Sequence, residues 1–189
     1  MELVAALLIL VVLIGAFNQR MVKVFTLAER HLVNSAVTNI NTALRFRYAI
    51  AMLRNDRQDT SELLAMNPIV LLQSNPEMNP VEYNRGEDVL AAMNQIQYSP
   101  PANYRGEFDG LDYESLDKGA WYFNRTERTL AYIIRNRELF ETGLTGVPRI
   151  EFRLVPDYID VDRNGLFDAE TDRLNSVTLQ SISDYHWRL

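Results

Sequence analysis

The chain lacks cysteine entirely and has only two histidines among its 189 residues. The absence of cysteine excludes disulfide bonds, a thiolate nucleophile and cysteine-ligated zinc or iron–sulfur centres. Two histidines leave few ligands for a histidine-based metal centre. The sequence also contains neither a GxxxxGK phosphate-binding loop nor a GxSxG nucleophile motif. We therefore expect a non-enzymatic protein with no small-molecule substrate.

Basic side chains are fewer than acidic ones, 19 against 25, which gives a net charge of −6. A negative chain is a poor binder of nucleic acid, because binding requires a positive surface that displaces counterions from phosphates. The charge is also unevenly distributed. Residues 1–59 carry seven basic and four acidic side chains, a net of +3, and the other 130 carry 12 and 21, a net of −9. This division predicts a segment and a domain in different surroundings.

A run of fifteen residues without charge or proline extends from Leu3 to Phe17. As a helix it is roughly 22 Å long, shorter than the ~30 Å hydrocarbon core of a bilayer and also compatible with a signal peptide. However, a signal peptide has basic residues before its apolar region, where this chain has Glu2. It also has small residues at a cleavage site after that region, where this chain has Phe17 and Arg20. A helix without a polar face is also hard to bury in a soluble domain. We therefore predict a membrane anchor over residues 1–20.

Helix-breaking residues are missing from the next segment, since no proline precedes Pro68 and no glycine lies between Gly15 and Gly86. The pattern predicts an amphipathic helix that continues over residues 21–57, so that one helix of about 80 Å spans roughly residues 2–55. Its stripe is expected to cover a folded domain or to form a coiled-coil seam. The stripe comprises Val22, Phe25, Glu29, Leu32, Ala36, Ile40, Ala43 or Leu44, Arg47 and Ile50.

The rest of the chain changes from loops to strands. Residues 58–118 form a predicted connecting region with one helix at 87–97, and residues 119–189 a predicted antiparallel β-domain. Strand candidates are residues 120–124, 129–135, 149–155, 176–182 and 184–189. In the third candidate Ile150, Phe152 and Leu154 alternate with Glu151 and Arg153, which predicts a strand with one buried and one solvent-facing side. The fold class is therefore α+β, with a long N-terminal helix packed on a C-terminal antiparallel sheet.

An acidic loop occupies residues 160–172 and reads DVDRNGLFDAETD. Asp160, Asp162 and Asn164, followed by Gly165, match positions 1, 3, 5 and 6 of an EF-hand-like calcium loop. Hard oxygen ligands at alternate positions of a tight turn suit Ca²⁺ as a structural ion. The alternative is an Asx-rich turn in which the Asn-Gly pair supplies only left-handed geometry.

The other candidate ligands of this loop follow the turn. Leu166 is placed to offer its carbonyl, and Asp168 stands at position 9. Thr171 occupies position 12, where an EF-hand has a bidentate glutamate, and Glu170 and Asp172 flank it. These two acids can substitute only if the loop follows a different path.

Several segments resemble type IV pilins and type II secretion pseudopilins. Glu2-Leu3-Val4 and the apolar run after it resemble the mature start of those proteins. Residues 67–72 (NPIVLL), 100–107 (PPANYRGE) and 119–124 (GAWYFN), followed by a strand with Tyr132, resemble pilin-like accessory proteins of the mannose-sensitive haemagglutinin (MSHA) pilus biogenesis cluster.

The resemblance implies a structural or assembly component of a pilus or secretion machinery. Its partners would be other pilin-like subunits or assembly proteins. It would be a single-pass inner-membrane protein with its globular domain in the periplasm. The resemblance also implies that Glu2 pairs with the free amine of a neighbouring subunit, and that a calcium loop near the C-terminus replaces the disulfide of many pilins. The alternative for Glu2 is a position at the membrane surface, where the helix N-terminus favours its negative charge.

Two further points follow from the residues around the anchor. In these families a basic leader ending in glycine is cut off before the mature start, and whether one precedes Met1 is left open. The positive-inside rule, applied to Arg20 and Lys23, would place the C-terminal side in the cytoplasm. We follow the resemblance, which places it in the periplasm. The alternative function is a membrane-tethered periplasmic binding or sensor module, in which the helix serves only as an anchor or dimer seam.

Overall fold

The computed structural model describes residues 2–54, 64–73, 100–168 and 170–189. Helix α1 spans Glu2–Arg54, and a short helix α2 spans Val70–Gln73. The strands are β1 (Tyr104–Phe108), β2 (Trp121–Asn124), β3 (Thr129–Ile133), β4 (Phe140–Thr142), β5 (Arg149–Ile159), β6 (Arg173–Ser181) and β7 (Tyr185–Trp187). The predicted fold class is confirmed, because one long N-terminal helix packs on a mostly antiparallel sheet. The predicted helix at residues 87–97 and the side chain of Ile50 lie outside the described part of the chain.

Five strands form the main sheet in the order β1-β2-β3-β5-β6, and β4 pairs with β7 in a separate two-stranded sheet. β1 runs parallel to β2, and the other neighbours are antiparallel. All five predicted strand segments contain a strand, whereas β1 and β4 were not predicted. The outer edges of the main sheet are therefore β1 on one side and β6 on the other.

The main core lies between α1 and one face of this sheet. Val33, Ala36, Ile40, Ala43 and Leu44 are buried on α1 at three- and four-residue steps, so one stripe of the helix faces the sheet. The sheet contributes an aromatic group in which the ring centroid of Trp121 lies 4.9 Å from that of Tyr132 and 5.8 Å from that of Phe152. This packing places the second half of α1 firmly on the β-domain.

The buried stripe of α1 differs from the predicted one near its start. Phe25 and Leu32 are 52% and 45% exposed, whereas Thr26 and Glu29 are buried. Thr26 is tolerated there because its hydroxyl donates to the carbonyl of Val22 at 2.8 Å. The carboxylate of Glu29 is tolerated because it is hydrogen-bonded by the β-domain. Two polar residues thus face the domain and two large apolar residues face outward.

The reverse face of the sheet carries a second, smaller core. Ala120, Tyr122 and Ile133 are buried there, covered by Leu111, Tyr113, Leu116 and Val147. Glu151 points to this side and is buried, so the prediction that it faces solvent is wrong. Its carboxylate accepts a hydrogen bond from Arg149 at 2.7 Å, and the guanidinium of Arg149 lies 4.0 Å from the ring centroid of Tyr113. A buried charge of this kind persists because it is paired.

Candidate functional site

The first candidate site is the exposed half of α1, residues 3–20. Every side chain in this range is exposed, including the whole apolar run from Leu3 to Phe17, and Met21 is the first that is partly covered. α1 is long and apolar enough to cross a membrane, and none of its most apolar stretch is buried. A membrane anchor and a signal sequence both fit this description. Glu2, the predicted assembly residue, is the first residue of the helix.

The second candidate site is the acidic loop, which connects β5 to β6. The two strands stay paired up to Ile159 and Arg173, so the two ends of the loop start side by side. Along α1, Asn41 contacts Leu179 of β6, and Tyr48 contacts Leu174, nearer the loop. The loop therefore lies at the end of the domain remote from the exposed half of α1. The axial distance from Arg20 to Tyr48 is about 42 Å at 1.5 Å per residue.

Three carboxylates converge in this loop. Oxygen atoms of Asp160, Asp162 and Asp172 all lie within 4.8 Å of one another. Asp172 is 8% exposed, and its two oxygens accept from the amides of Val161 and Asp168, each at 2.9 Å. These bonds tie the second half of the loop to the first and hold the Asp172 carboxylate beside the other two.

The start of the loop is a series of turns closed by side chains. Gly165, at φ +77°, donates its amide to Oδ2 of Asp160 at 2.8 Å. This backbone hydrogen bond, with weaker ones behind it, holds the pKa of Asp160 below its usual value. Asn164 donates its side-chain amide to Oδ2 of Asp162 at 2.7 Å, and its Oδ1 accepts from the amide of Leu166 at 2.7 Å. The first four predicted ligand residues are thus mutually arranged by local hydrogen bonds.

One oxygen in the cluster accepts no hydrogen bond within the described part of the chain. Oδ1 of Asp160 is buried and has no hydrogen-bond partner among the described residues. Asp168 instead turns its carboxylate to the next turn, where Oδ1 accepts from the amide of Glu170 at 2.9 Å. The structure brings Asp160, Asp162 and Asp172 together, and it does not bring Asp168 or Glu170 into that cluster. The arrangement of hard oxygen atoms fits a cation such as Ca²⁺.

A third set of polar contacts is centred on Glu29 and was recognised in the sequence only as part of the helix stripe. Oε1 accepts from the hydroxyl of Tyr132 at 3.0 Å and from the amide of Arg135 at 2.7 Å. Oε2 accepts from the amide and the side chain of Asn136 at 2.9 and 2.8 Å. The signal in the sequence is an acid within a stripe that is apolar apart from Glu29 and Arg47.

The fold and these sites define a class: an α+β domain built on the second half of a long helix, with the apolar first half outside the core and an acidic loop at the opposite end. Comparison with known proteins adds no relative to this description. No family model, no curated protein and no solved structure matches the chain.

Proposed function

We propose that the protein is a non-enzymatic, pilin-like structural or assembly component of a type IV pilus of the MSHA kind or of a type II secretion machinery. In this proposal α1 anchors it in the inner membrane, and the globular domain lies in the periplasm. The observation that supports the proposal is the division of one continuous 53-residue helix into an exposed apolar half and a half built into the domain core.

The exposed half needs a second environment. Burying one large aliphatic side chain is worth about 1.5–3 kcal/mol, so a helix segment made almost entirely of such residues is not stable in water. Lipid and the apolar helices of other subunits are both suitable surroundings. Because α1 continues without interruption into the core, the orientation of the anchor fixes that of the domain. A rigid link of this kind suits a subunit that is stacked in an assembly.

Deletion of the gene and complementation with the full chain tests this function. We expect deletion to reduce piliation, seen by electron microscopy, or the secretion of an exported protein, and the wild-type chain to restore it. The natural absence of cysteine allows a single-cysteine variant, Val12→Cys, to be crosslinked to other subunits through the exposed half. Thr38→Cys, on the domain half of α1, is the matched control.

Normal piliation and secretion in the deletion strain, together with no crosslinked partner at position 12, would contradict an assembly role. A crosslinked dimer of this chain alone, with both processes normal, would favour the membrane-tethered binding or sensor module.

We also propose that the acidic loop binds Ca²⁺ as a structural ion. Asp160, Asp162 and Asp172 would hold it, with the free Oδ1 of Asp160 as the first ligand. When bound, the ion would offset two of the three negative charges of the converging carboxylates and close the loop between β5 and β6. In a chain without cysteine, such a cation would provide the crosslink that a disulfide cannot.

Thermal unfolding of the full chain in detergent tests the calcium proposal. At about 100-fold excess over the dissociation constant the ion adds about 2.7 kcal/mol, so we expect EDTA to lower the melting temperature by several degrees. Asp162→Ala is expected to lower it without EDTA and to remove the calcium effect. Asp157→Ala, an exposed acid of β5 outside the cluster, is the control. A melting temperature that does not respond to calcium would rule out the site.

A further inference from the structure

The domain begins very close to where the apolar run of α1 ends. Phe17 is the last residue of the run, Met21 and Val22 are already partly covered, and Thr26 is fully buried. Four residues lie between Phe17 and Val22, which are about 8 Å apart along the helix. The headgroup layer of one leaflet is about 5–7 Å thick, so the helix has no spacer between the membrane and the domain.

The short apolar run brings the domain closer still. The run is roughly 22 Å long as a helix, whereas the hydrocarbon core of the bilayer is about 30 Å thick. A membrane helix that is too short is accommodated by local thinning of the bilayer and by flanking cationic side chains that extend to the headgroups. Arg20 and Lys23 are exposed at this point. Val24 and Phe25 are exposed and apolar one turn further on, which favours a deeper position of the helix. Both effects place the adjacent end of the domain within the headgroup layer.

That end of the domain is basic. Arg20, Lys23 and Arg30 are exposed on α1, and Arg135 and Arg137 are exposed on the loop after β3. The loop is held at the level of residue 29 by the hydrogen bond from the Arg135 amide to Glu29. None of these five side chains, which we call the basic end, forms a salt bridge with an acid in the described ranges.

The acids near the basic end do not cancel it. Glu29 is buried and engaged by four hydrogen bonds, and Glu141 is paired with Arg188. Glu138 in the same loop and Asp184, which precedes the Tyr185 near Arg30, are exposed acids, so five basic side chains outnumber two acidic ones at this end. At the opposite end of the domain, residues 157–173 carry six acids and two arginines, a net of −4. The domain is therefore polarised along α1, with positive charge toward the anchor and negative charge away from it.

We propose that the basic end binds the anionic phospholipid headgroups of the leaflet from which α1 emerges. This inference rests on the proposed anchoring of α1. Basic side chains near an anionic surface each favour binding about fivefold, and the effect is lost beyond about one Debye length. The level of residue 29, where Arg135 is held, lies about 18 Å beyond Phe17 along α1, and the deeper position of the helix brings this level to within about one Debye length of the headgroups. Docking holds the domain upright and points the acidic loop away from the bilayer, toward an incoming cation or partner.

Fluorescence quenching tests the proposal on the full chain in vesicles. A single cysteine, Glu138→Cys, carries the fluorophore in every sample, and the lipids carry a quencher on their headgroups. We compare phosphatidylcholine vesicles with vesicles that contain about 30% phosphatidylglycerol. We expect strong quenching with phosphatidylglycerol, about threefold weaker quenching without it, and loss of the difference as the salt concentration rises from about 0.1 to about 0.5 M.

Charge variants identify the residues responsible. The double variant Arg135→Gln/Arg137→Gln is expected to weaken docking about 30-fold and to quench as in pure phosphatidylcholine. Arg163→Gln/Arg173→Gln removes the same charge from two exposed positions at the acidic end and is expected to leave quenching unchanged. Circular dichroism of both double variants confirms that the domain is folded.

The possible failures are distinguishable. If the chain does not float with the vesicles in a density gradient, the proposed anchoring is wrong and docking fails with it. If it floats but quenching is the same in both lipids and in both double variants, the anchor stands and the docking inference is overturned. Quenching that rises only with protein density would show that the basic end meets the acidic end of another copy, which also contradicts lipid binding.

Discussion

Glu29 is the residue that fixes how far α1 extends out of the domain. It is 6% exposed, and its carboxylate accepts four hydrogen bonds, one from β3 and three from the loop after it, more than a hundred positions away in sequence. Two of the donors are backbone amides, whose positions are set by the fold. Sliding or rotating the helix by one residue would leave both the carboxylate and the amides buried without partners, which is costly.

Substitution of Glu29 measures this constraint. Glu29→Gln places an amide group against donors that need an acceptor, and we expect a loss of about 2–3 kcal/mol in the free energy of unfolding. Glu138→Gln, the same change on an exposed glutamate of the contacting loop, should stay within about 0.5 kcal/mol of the wild type. Urea unfolding of the full chain in detergent gives both values. Equal effects of the two substitutions would show that the buried carboxylate does not hold the helix.

Ionisation of Tyr132 determines how the contact between α1 and the domain at Glu29 responds to alkaline pH. Burial raises the pKa of its phenol, and the charge and hydrogen bond of Glu29 raise it further. The folded-state pKa lies above the unfolded value of about 10, so its contribution to stability is complete below pH ~10 and is lost above it. Tyr132→Phe should cost about 1–2 kcal/mol at neutral pH, through the lost hydrogen bond.

The same variant should then lose less stability than the wild type between pH ~9 and ~11, because it has no phenol to ionise at this position. Chemical unfolding at several pH values measures this slope. Partly buried tyrosines such as Tyr113 and Tyr185, whose pKa is also raised by burial, retain part of this loss of stability in the variant. Parallel pH profiles for wild type and variant would show that Tyr132 does not contribute.

At the scale of elements, the outer edge of β6 is covered by side chains of α1. The Oδ1 of Asn41 accepts from the amide of Leu179 at 2.7 Å, and its Nδ2 donates to the carbonyl of the same residue at 3.4 Å. The hydroxyl of Tyr48 donates to the carbonyl of Leu174 at 2.5 Å. Asn41 thus takes the place of a neighbouring strand and protects an edge that would otherwise be open to pairing with another chain.

Asn41→Ala should open this edge locally. We expect a loss of about 1 kcal/mol and roughly tenfold faster hydrogen exchange at the Leu179 amide, because the amide loses its acceptor. Asn34→Ala, on an exposed position of the same helix, is the control and should change neither quantity. Exchange measured by mass spectrometry or NMR on the full chain distinguishes them. Unchanged protection of Leu179 would mean that another group covers the edge.

The elements found from the sequence are those with a strong local pattern. α1 was predicted because nothing breaks it, and β2 and β3 because aromatic and β-branched residues cluster there. β1 was missed because its residues YRGEF include Gly106 at φ +116° and a register shift, so no alternation is visible. β4 has only three residues, and it forms because β7 pairs with it.

In the candidate metal site, too, the local part could be predicted from the sequence and the part that depends on distant strand pairing could not. The turns around Asp160, Asp162 and Asn164 are local, and their spacing in sequence was sufficient to predict them. The place of Asp172 depends on how far β5 and β6 extend, since the pair Ile159 and Arg173 closes the loop. Pro156 obscured that extension, because proline normally ends a strand. It is accommodated beyond the last residue of β5 that pairs with β3, where its missing amide leaves no ladder bond unmade.

At the scale of the whole molecule, the two halves of α1 have different surroundings. The half from residue 21 onward contributes to the domain core, whereas residues 3–20 contact nothing that buries them. A change in the exposed half should therefore alter membrane retention and leave domain stability untouched. The sequence predicts this separation, because a continuous apolar run changes to an amphipathic pattern. It does not predict the residue at which the change occurs.

Leu10→Lys tests the separation directly. A lysine at the centre of a membrane helix costs about 3–4 kcal/mol relative to leucine, so we expect most of the chain to be released from membranes by alkaline carbonate. Thr38→Lys adds the same charge to an exposed position on the domain half and should be retained like the wild type. Because Leu10 lies outside the core, the melting temperature in detergent should change by no more than about 1 °C in either variant. Equal retention of both variants would show that residues 3–20 do not insert into lipid, and a lower melting temperature for Leu10→Lys alone would show that this half contributes to the fold.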